Sequence, residues 1–342
     1  MNESQAYHFI GLDIHKRTVA FCEKTLTGRT VARGTIRARH SDLLEFAESR
    51  GKPWVGGMEA TLFSGWVYDA LVGHCVELHV GHPLRLKALS KNKNDRIDAE
   101  LLANLLRADL FPTCHMPPPE VRELRRVMRF RNFLVVQATR MKNKAAGLLM
   151  ETGAQYDAKK LHGKKYFSEL LAGLDETPPS VRELLRMTRT SLDVFTKAQG
   201  CLLRALKRHA ALSARVELLK SIGGVGDIVA LTWALEIDDP NRFSSIKKAQ
   251  SYCGLCSAQH ESAGKQWRAP LSKERNPHLQ RVLIEAAKLA PSKLGCLERV
   301  HAAAIERGYN KNRATLAVAR KLVAYLMAVD KSGSIFVEPQ PG

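Results

Sequence analysis

The sequence has no apolar run as long as a membrane span. Its longest apolar runs, such as Phe133–Val136 and Ile228–Leu231, hold a handful of residues, whereas a transmembrane helix needs about 20. The first residues, Met1–Gln5, lack the basic and apolar regions of a signal peptide. We therefore expect a cytoplasmic protein with no membrane partner.

The sequence also lacks a cysteine framework. Seven cysteines, an odd number, are scattered over the chain, a pattern that indicates a reducing compartment rather than disulfides. Cys253 and Cys256, with His260 nearby, have the spacing of half a zinc site. A tetrahedral site needs four ligands, usually from two paired clusters, and the chain has no second Cys-x-x-Cys. We expect no zinc here.

Acidic residues are in short supply. Asp and Glu number 34 against 53 Lys and Arg, which gives a formal net charge of +19. Such an excess suits a polyanion, and without an amphipathic anchor or lipidation signal nucleic acid is favoured over membrane. The remaining composition, 45% hydrophobic and 25% charged, is that of a folded protein and excludes wholesale disorder.

The first 118 residues predict a mixed α/β domain. Short apolar runs bounded by turn residues predict five strands, the first three as a meander and the last two separated by a helix from about Ser64 to Val72. A helix that packs on this domain is expected to reach about residue 150. The predicted strands are Phe9–Ile14, Val19–Cys22, Thr30–Arg33, Trp54–Glu59 and Val76–Val80.

Beyond Pro117–Pro119 the sequence predicts helices. Apolar residues at 4-3 spacing predict two long helices, Glu120–Met150 and Val181 to about Leu219. Joined by a loop around Gly163 and Pro178–Pro179, they form a helical hairpin or coiled coil over 119–219. The hairpin either packs on its own domain or mediates oligomerisation, and the sequence leaves both open.

A third, mostly helical region is predicted over 220–331. It holds a glycine turn at Gly223–Gly226, a loop near Cys253–Arg268, and helices near 276–290 and 311–329. Residues 332–342 contain two prolines and little to bury, so we expect a frayed tail.

Four carboxylates stand at positions where a fold can bring them together. Asp13 and Glu59 end the first and fourth predicted strands, and Asp95 and Asp98 share one face of a helix that begins near Asn94. Four converging carboxylates need a cation to stay ionised, and Mg²⁺ or Mn²⁺ suits oxygen ligands. Singly, each acid also has an ordinary structural interpretation, as a helix cap or a solvated side chain.

The motifs around these acids resemble a known family. Gly11–Lys16, Gly57–Thr61 and Lys91–Ala99 resemble the signature of the DEDD transposases of insertion sequences, insertion-sequence family 110. The resemblance covers about residues 7 to 330. It implies a ribonuclease-H-like fold of the RuvC (Holliday-junction resolvase) type for the first domain and a helical transposase domain at the C-terminal end. It assigns the metal to Asp13, Glu59, Asp95 and Asp98.

Basic residues after Pro119 predict a nucleic-acid surface. Cations on a helix face neutralise phosphates without choosing a sequence, although many such residues are simply solvated. The glycine turn before an apolar helix resembles a helix-hairpin-helix motif, a backbone grip on phosphate, and an ordinary interhelical turn explains it nearly as well. The candidates are Arg122, Arg125, Arg126, Arg129, Arg140, Lys142, Gly224 and Gly226.

The resemblance also implies a serine nucleophile for strand exchange. The family places a serine before a glycine in the loop that here reads Glu261–Lys265; Ser262 is the candidate, although Ala263 separates it from Gly264. Ser257 and Ser272 are rivals. Metal ions would activate the phosphate, and nearby cations would hold its other oxygens: Lys265, Arg268, Lys273 and Arg275.

The resemblance finally implies partners. It implies donor and target double-stranded DNA, a structured non-coding guide RNA that pairs with both, and a dimer or tetramer in which one protomer's carboxylates meet another's serine, at the bacterial nucleoid. Two alternatives stay open from the residues themselves. One is a metal-dependent junction nuclease without serine chemistry, and the other is a non-catalytic nucleic-acid-binding protein.

Overall fold

The chain divides at Pro119. The computed structural model describes the backbone of residues 7–89, 95–262 and 265–340, and their side chains except at 95–97, 258–262 and 265–270. It forms two units, Met1–Pro119 and Glu120–Gly342. The predicted hairpin and C-terminal helical region fall together in the second unit. Among the described helices, none is long and apolar enough to cross a membrane.

The first unit contains a five-stranded mixed sheet. Its order is β3-β2-β1-β4-β5; β1, β2 and β3 form an antiparallel meander, while β4 is parallel to both β1 and β5. The predicted meander and strand–helix–strand order are therefore confirmed. The strands are β1 (His8–Ile14), β2 (Thr18–Lys24), β3 (Thr30–Arg37), β4 (Trp54–Glu59) and β5 (Glu77–Gly81).

The two faces of this sheet carry different helices. Leu12 and Met58 pack on one face with α1 and α2 through Leu43, Phe46 and Val67. The helix α4 packs against β1, β2 and β4 on the other face. The helices are α1 (His40–Glu48), α2 (Ser64–Leu71), α3 (Pro83–Leu89) and α4 (Asp95–Arg107).

A glycine in β1 lets α4 lie directly on the sheet. A Cβ atom on Gly11 would come within 2.0 Å of the Ala99 carbonyl oxygen and 2.6 Å of the Ala103 amide nitrogen. Both alanines are buried, so small residues on each side allow the two backbones to touch. The closeness of α4 to β1 is therefore set by the absence of one side chain.

The second unit begins with a helical hairpin. Helices α5 (Pro119–Glu151) and α7 (Pro179–Arg208) form its arms, and α6 (Lys164–Ala172) lies in the connection that was predicted as a loop. The far end has its own core, in which Leu148 and Leu149 of α5 pack with Phe167 and Leu185.

The second arm is shorter than predicted. At His209 the backbone is extended (φ −70°, ψ 116°), so α7 ends and α8 (Ala210–Lys220) begins. Leu212, Val216 and Leu219 of α8 belong to the C-terminal core. Within α8 these residues keep the 4-3 spacing of a helix, but the step from Leu206 of α7 to Leu212 is six residues, which breaks the period of α7.

The C-terminal core surrounds α9. Every residue of this helix from Ala230 to Ile237 is buried, including Trp233 and Glu236. Residues 253–268, predicted as a loop, contribute a two-stranded antiparallel hairpin, and α10 and α12 were not predicted. The elements are α9 (Asp227–Ile237), α10 (Ile246–Tyr252), β6 (Ser257–Ser262), β7 (Lys265–Leu271), α11 (Pro277–Leu289), α12 (Gly295–Glu306) and α13 (Lys311–Ser332).

The predicted frayed tail is wrong as far as Glu338. The Phe336 amide donates to the Ser221 hydroxyl at 2.8 Å, and its ring lies 4.9 Å from that of Tyr325. The Glu338 carboxylate accepts a hydrogen bond of 2.7 Å from the Cys296 amide in the first turn of α12, where a negative charge is stabilised. One ring and one carboxylate dock a segment that composition alone marks as unattached.

The contact at Gly11 yields a stability prediction. We expect Gly11→Ala to destabilise the protein by about 3 kcal/mol or more, because a methyl group there collides with backbone atoms that cannot rotate away. Gly51→Ala is the control, since nothing lies within 4 Å of its added Cβ, and it should shift stability by less than about 0.5 kcal/mol. Urea unfolding measures both; equal midpoints for the two variants would contradict the contact.

Candidate active site and nucleic-acid interface

Asp13 and Glu59 stand side by side on one face of the sheet. The parallel register of β1 and β4 pairs Leu12 with Met58, so the next residues along, Asp13 and Glu59, adjoin each other. Side chains alternate along a strand, which puts Asp13 on the same face as Gly11, the face that α4 covers. The Asp13 side chain is only 16% exposed.

Asp98 reaches the same region from the helix. It lies in the first turn of α4 and directly precedes Ala99, whose carbonyl meets β1 at Gly11. Asp95 is the first residue of α4, but its side chain lies outside the described ones. Across the described side chains, no three His, Cys, Asp or Glu groups are close enough to hold a metal ion.

A histidine that the sequence analysis gave no role contacts the first acid. The His15 Nε2 atom lies 3.0 Å from an Asp13 carboxylate oxygen, and the imidazole is 45% exposed. His15 directly follows the end of β1, two residues after Asp13. His15 is therefore placed to orient the Asp13 carboxylate.

The predicted basic stripe on α5 separates into two groups. Arg126 and Arg140 are exposed, and within the described part of the chain neither makes an ion pair or hydrogen bond. Arg125 and Arg129 instead bind α9. Arg125 donates two hydrogen bonds to the Leu235 carbonyl, at 2.9 and 2.6 Å. These two arginines have a structural partner that the sequence analysis missed.

That partner is the buried carboxylate of Glu236. Arg129 binds it with two hydrogen bonds of 2.8 Å, and the Asn276 amide donates a third of 2.8 Å. Burial would raise the pKa of Glu236, but the Arg129 hydrogen bonds and charge, with Arg125, hold it below its ordinary value of 4.5. The sequence signal was a lone acid late in an otherwise apolar helix, Asp227–Ile237.

The same network holds the base of the β6–β7 hairpin. The backbone N–H of Asn276 donates to the backbone carbonyl of Tyr252 at 2.8 Å. The Tyr252 hydroxyl donates to the backbone carbonyl of Glu236 at 3.2 Å. Residues 252 and 276 flank the segment that carries both strands. Glu236 therefore connects the base of this hairpin to the basic helix α5.

Ser262 is the last residue of β6. It pairs with Lys265 in β7, but the side chains of Ser262, Lys265 and Arg268 lie outside the described ones. The two rivals have ordinary roles: Ser257 pairs with Leu271 at the hairpin base, and the Ser272 hydroxyl accepts from the Glu274 amide at 3.1 Å.

The remaining sequence candidates near this hairpin are exposed. Lys273 and Arg275 face solvent, and Arg275 donates to the Ser272 carbonyl at 3.0 Å. Cys253, by contrast, is fully buried in the C-terminal core, and burial raises the pKa of its thiol. It behaves as a small apolar side chain, which is a structural reason for the first half of the Cys-x-x-Cys pattern.

The glycine turn is closely packed. Gly224 has φ +89°, and a Cβ there would lie 2.9 Å from that of Ala290. Asp227, the first residue of α9, accepts from Lys207 at 2.6 Å and pairs with Lys220 at 2.9 Å, and these bonds hold the pKa of Asp227 below its ordinary value. The helix terminus thus already carries a carboxylate, while Gly226 faces open space.

Arg122 and Lys142, the other candidates on α5, are half-buried. Arg122 interacts with another group of the protein. Lys142 lines a small cavity of about 10 Å³ near the far end of the hairpin, with His162 and Arg189.

The buried carboxylate predicts a pH-dependent stability. Because the pKa of Glu236 is lowered on folding, its contribution is present above about pH 4.5 and is lost as the pH falls through its folded-state value. At pH 7, Glu236→Gln should cost about 3 kcal/mol, since it leaves Arg129 without its counter-charge. The difference between parent and variant should shrink on acidification from pH 5 to about pH 3.

Denaturant unfolding at several pH values measures this difference. Glu217→Gln is the control, because the pair of Glu217 with Lys220 is exposed and such pairs contribute about 0–1 kcal/mol. A pH-independent difference for Glu236→Gln would contradict the assigned ionisation.

Two family models match the chain. Residues 10–153 match the DEDD transposase model of the IS110 family, described as a transposase. Residues 216–298 match the model described as the transposase IS116/IS110/IS902 family. The first match spans the first unit from residue 10 and continues through α5, the second lies within the second unit, and together they cover about two thirds of the chain.

Curated relatives agree with these models. The chain is 26% identical over 284 residues to the transposase for insertion sequence element IS1111A of Coxiella burnetii, which covers 82% of this chain and 76% of that protein. It is 24% identical over 338 residues to the transposase for insertion sequence element IS1328 of Yersinia enterocolitica, which covers 96% and 98% respectively. The chain therefore carries both transposase domains of the IS110 family of insertion sequences and belongs with these DNA-processing enzymes.

Proposed function

We propose that this transposase cuts and rejoins DNA strands with a divalent metal ion and a serine nucleophile. The observation that carries the first part is the placement of Asp13 and Glu59 on neighbouring parallel strands, on the face covered by α4, with Asp98 in the first turn of that helix. These three carboxylates come from separate elements at one face of the sheet, and a cation bound among them would offset the repulsion of their like charges.

The donor set fits Mg²⁺ or Mn²⁺. It consists of carboxylate oxygens, which hard divalent cations prefer, and we assign Asp95 as its fourth member. When bound, such an ion would polarise the phosphodiester and stabilise the leaving oxygen. The task of Asp13, Glu59 and Asp98 is to bind it, and the hydrogen bond of 3.0 Å from His15 would fix how the Asp13 carboxylate points.

Ser262 is assigned as the nucleophile of strand exchange. It lies within the residues matched by the second transposase model and is the last residue of β6. Its hydroxyl oxygen would attack phosphorus, forming a serine–phosphate ester as the bond to the 3′ oxygen breaks. The hydroxyl proton passes to that oxygen, and the free 3′-hydroxyl of another strand later reverses the step.

Storing the phosphate on serine conserves the energy of the phosphodiester bond. Rejoining then needs no nucleotide cofactor, which is the advantage of a serine over water in an enzyme that must reseal DNA. Lys265, Arg268, Lys273 and Arg275 are assigned to hold the remaining phosphate oxygens.

The partners in this proposal are DNA, RNA and a second copy of the chain. The +19 charge and the exposed Arg126 and Arg140 support binding of donor and target DNA and of a structured guide RNA at the nucleoid. Self-association is supported by α7, which exposes Leu184, Met187 and Val194 in addition to its buried seam. Their spacing of three and seven residues is that of a coiled-coil seam.

A junction nuclease without serine chemistry is the second candidate, and the carboxylates favour it equally. In that enzyme water attacks the phosphate, and the products stay broken. Rejoined products in a purified reaction therefore distinguish the two. A protein that only binds nucleic acid would not need these carboxylates.

The carboxylates give the first test. Asp13→Asn, Glu59→Gln, Asp95→Asn and Asp98→Asn should each abolish strand cleavage while DNA affinity stays within about tenfold, because ligands rather than phosphate contacts are removed. The parent should lose activity in EDTA and regain it with Mg²⁺. Asp109→Asn is the control, since this exposed residue has φ +55°, which Asn also tolerates. Full activity of the parent in EDTA would contradict the metal assignment.

The serine gives the second test. Ser262→Ala should bind DNA but form no protein–DNA adduct on denaturing gels and no recombinants, while Ser257→Ala and Ser272→Ala keep both. Peptide mass spectrometry of the parent adduct identifies the linked residue. An adduct on Ser257 or Ser272 would move the chemistry there, and cleavage without any adduct would favour the nuclease.

A further inference from the structure

A cavity of about 650 Å³ lies in the second unit, away from the β6–β7 hairpin. It is bounded by α5, by Gly224 of the glycine turn, by α9 and by α11. Its volume is within the range of small-molecule sites, about 300–1,000 Å³. All of its described lining residues belong to the second unit.

Two arginines on this cavity have no counter-charge. Arg131 donates from Nη1 to the Asn132 side chain at 3.0 Å, while its Nε is buried and has no hydrogen-bond acceptor. Arg281 faces the same space and makes no ion pair with any residue that the structure describes. Burial and the charge of Arg281 both lower the pKa of Arg131, yet a guanidinium stays protonated. The pair therefore consists of a partly buried cation, Arg131, and an exposed one, Arg281.

The other charged groups on the wall leave this excess in place. Glu285 is the acid of the cavity lining, and it is paired with Lys288 at 2.7 Å. Burial lowers the pKa of His278, which favours the neutral imidazole. A neutral imidazole offers one hydrogen-bond donor and one acceptor. The lining therefore keeps a net positive charge from Arg131 and Arg281, and His278 can bind a polar, uncharged edge.

The rest of the wall is aliphatic. Such a surface suits a flat, weakly hydrated group rather than a second phosphate, because apolar area gains free energy only by covering apolar area. A ligand that satisfies the whole cavity carries one phosphate and one planar ring system. The aliphatic side chains are those of Val135, Ile228, Val229, Val282, Ala286 and Leu289.

We infer that this cavity binds one nucleotide, its phosphate between Arg131 and Arg281 and its base against the aliphatic wall. The inference rests on the proposed function only in that a nucleic acid supplies the nucleotide. Guanidinium groups bind phosphate oxygens through paired hydrogen bonds. Arg131 makes one hydrogen bond, from Nη1 to Asn132, and its other donors have no partner among the described residues. A cavity of this size excludes a duplex, so a nucleotide of a strand enters only when unpaired.

Calorimetric titration of the full-length protein with deoxyadenosine 5′-monophosphate and with single-stranded tetrathymidylate tests the inference. Arg281→Gln and Arg131→Gln should each weaken binding of the mononucleotide at least tenfold. Val282→Phe, which fills the cavity and keeps both charges, should do the same. Arg307→Gln removes one positive charge from an exposed position outside the cavity and should leave binding within about twofold, because distant exposed charges are screened.

The oligonucleotide distinguishes the two sources of the ligand. A loss of tetrathymidylate affinity in Arg281→Gln parallel to that for the mononucleotide identifies a strand nucleotide, whereas an effect on the mononucleotide alone identifies a free one. Equal affinity for inorganic phosphate and mononucleotide would overturn the inference, as would no binding or equal losses in Arg307→Gln. Strand cleavage by the Asp13→Asn variant is measured in a separate assay. A failure of the proposed function there would leave the result of the nucleotide titration unchanged.

Discussion

The second unit depends on one buried carboxylate. Glu236 lies inside an apolar core, where an unpaired charge costs several kcal/mol, so the chain must supply partners from elsewhere. Arg129 comes from the long helix α5 and Asn276 from the start of α11. The requirement to neutralise and hydrogen-bond this group fixes the relative positions of three helices and, through Tyr252 and Asn276, the base of the β6–β7 hairpin.

That constraint divides the cations of α5 by function. Arg125 and Arg129 serve the interior of their own unit, while Arg126 and Arg140 stay exposed to a phosphate backbone. Arg131 lines a cavity in which neither it nor Arg281 has a carboxylate partner among the described residues. Arginines on one helix thus have three different chemical environments. A count of basic residues in the sequence does not distinguish them and would interpret all of them as binding nucleic acid.

In the first unit the constraint is steric. A missing side chain at Gly11 brings the α4 backbone against β1, and the same face of the sheet carries Asp13 and Glu59. Because side chains alternate between the two faces along a strand, Gly11 and Asp13 lie on the same face, so the face that packs closely against α4 also carries the acid. The same contact brings the first turn of α4, which contains Asp98, close to β1.

The sequence by itself determined the elements of the first unit and the place of its acids. Short apolar strands with period two, broken by turn residues, have one reading, and Asp13 and Glu59 at strand ends share an edge once their strands adjoin. Only the tertiary structure decided the break at His209, the strands within 253–268, the docking of Phe336 and the partner of Arg129. Phe336 and Arg129 bind groups more than a hundred residues away in sequence, and local periodicity carries no record of such partners.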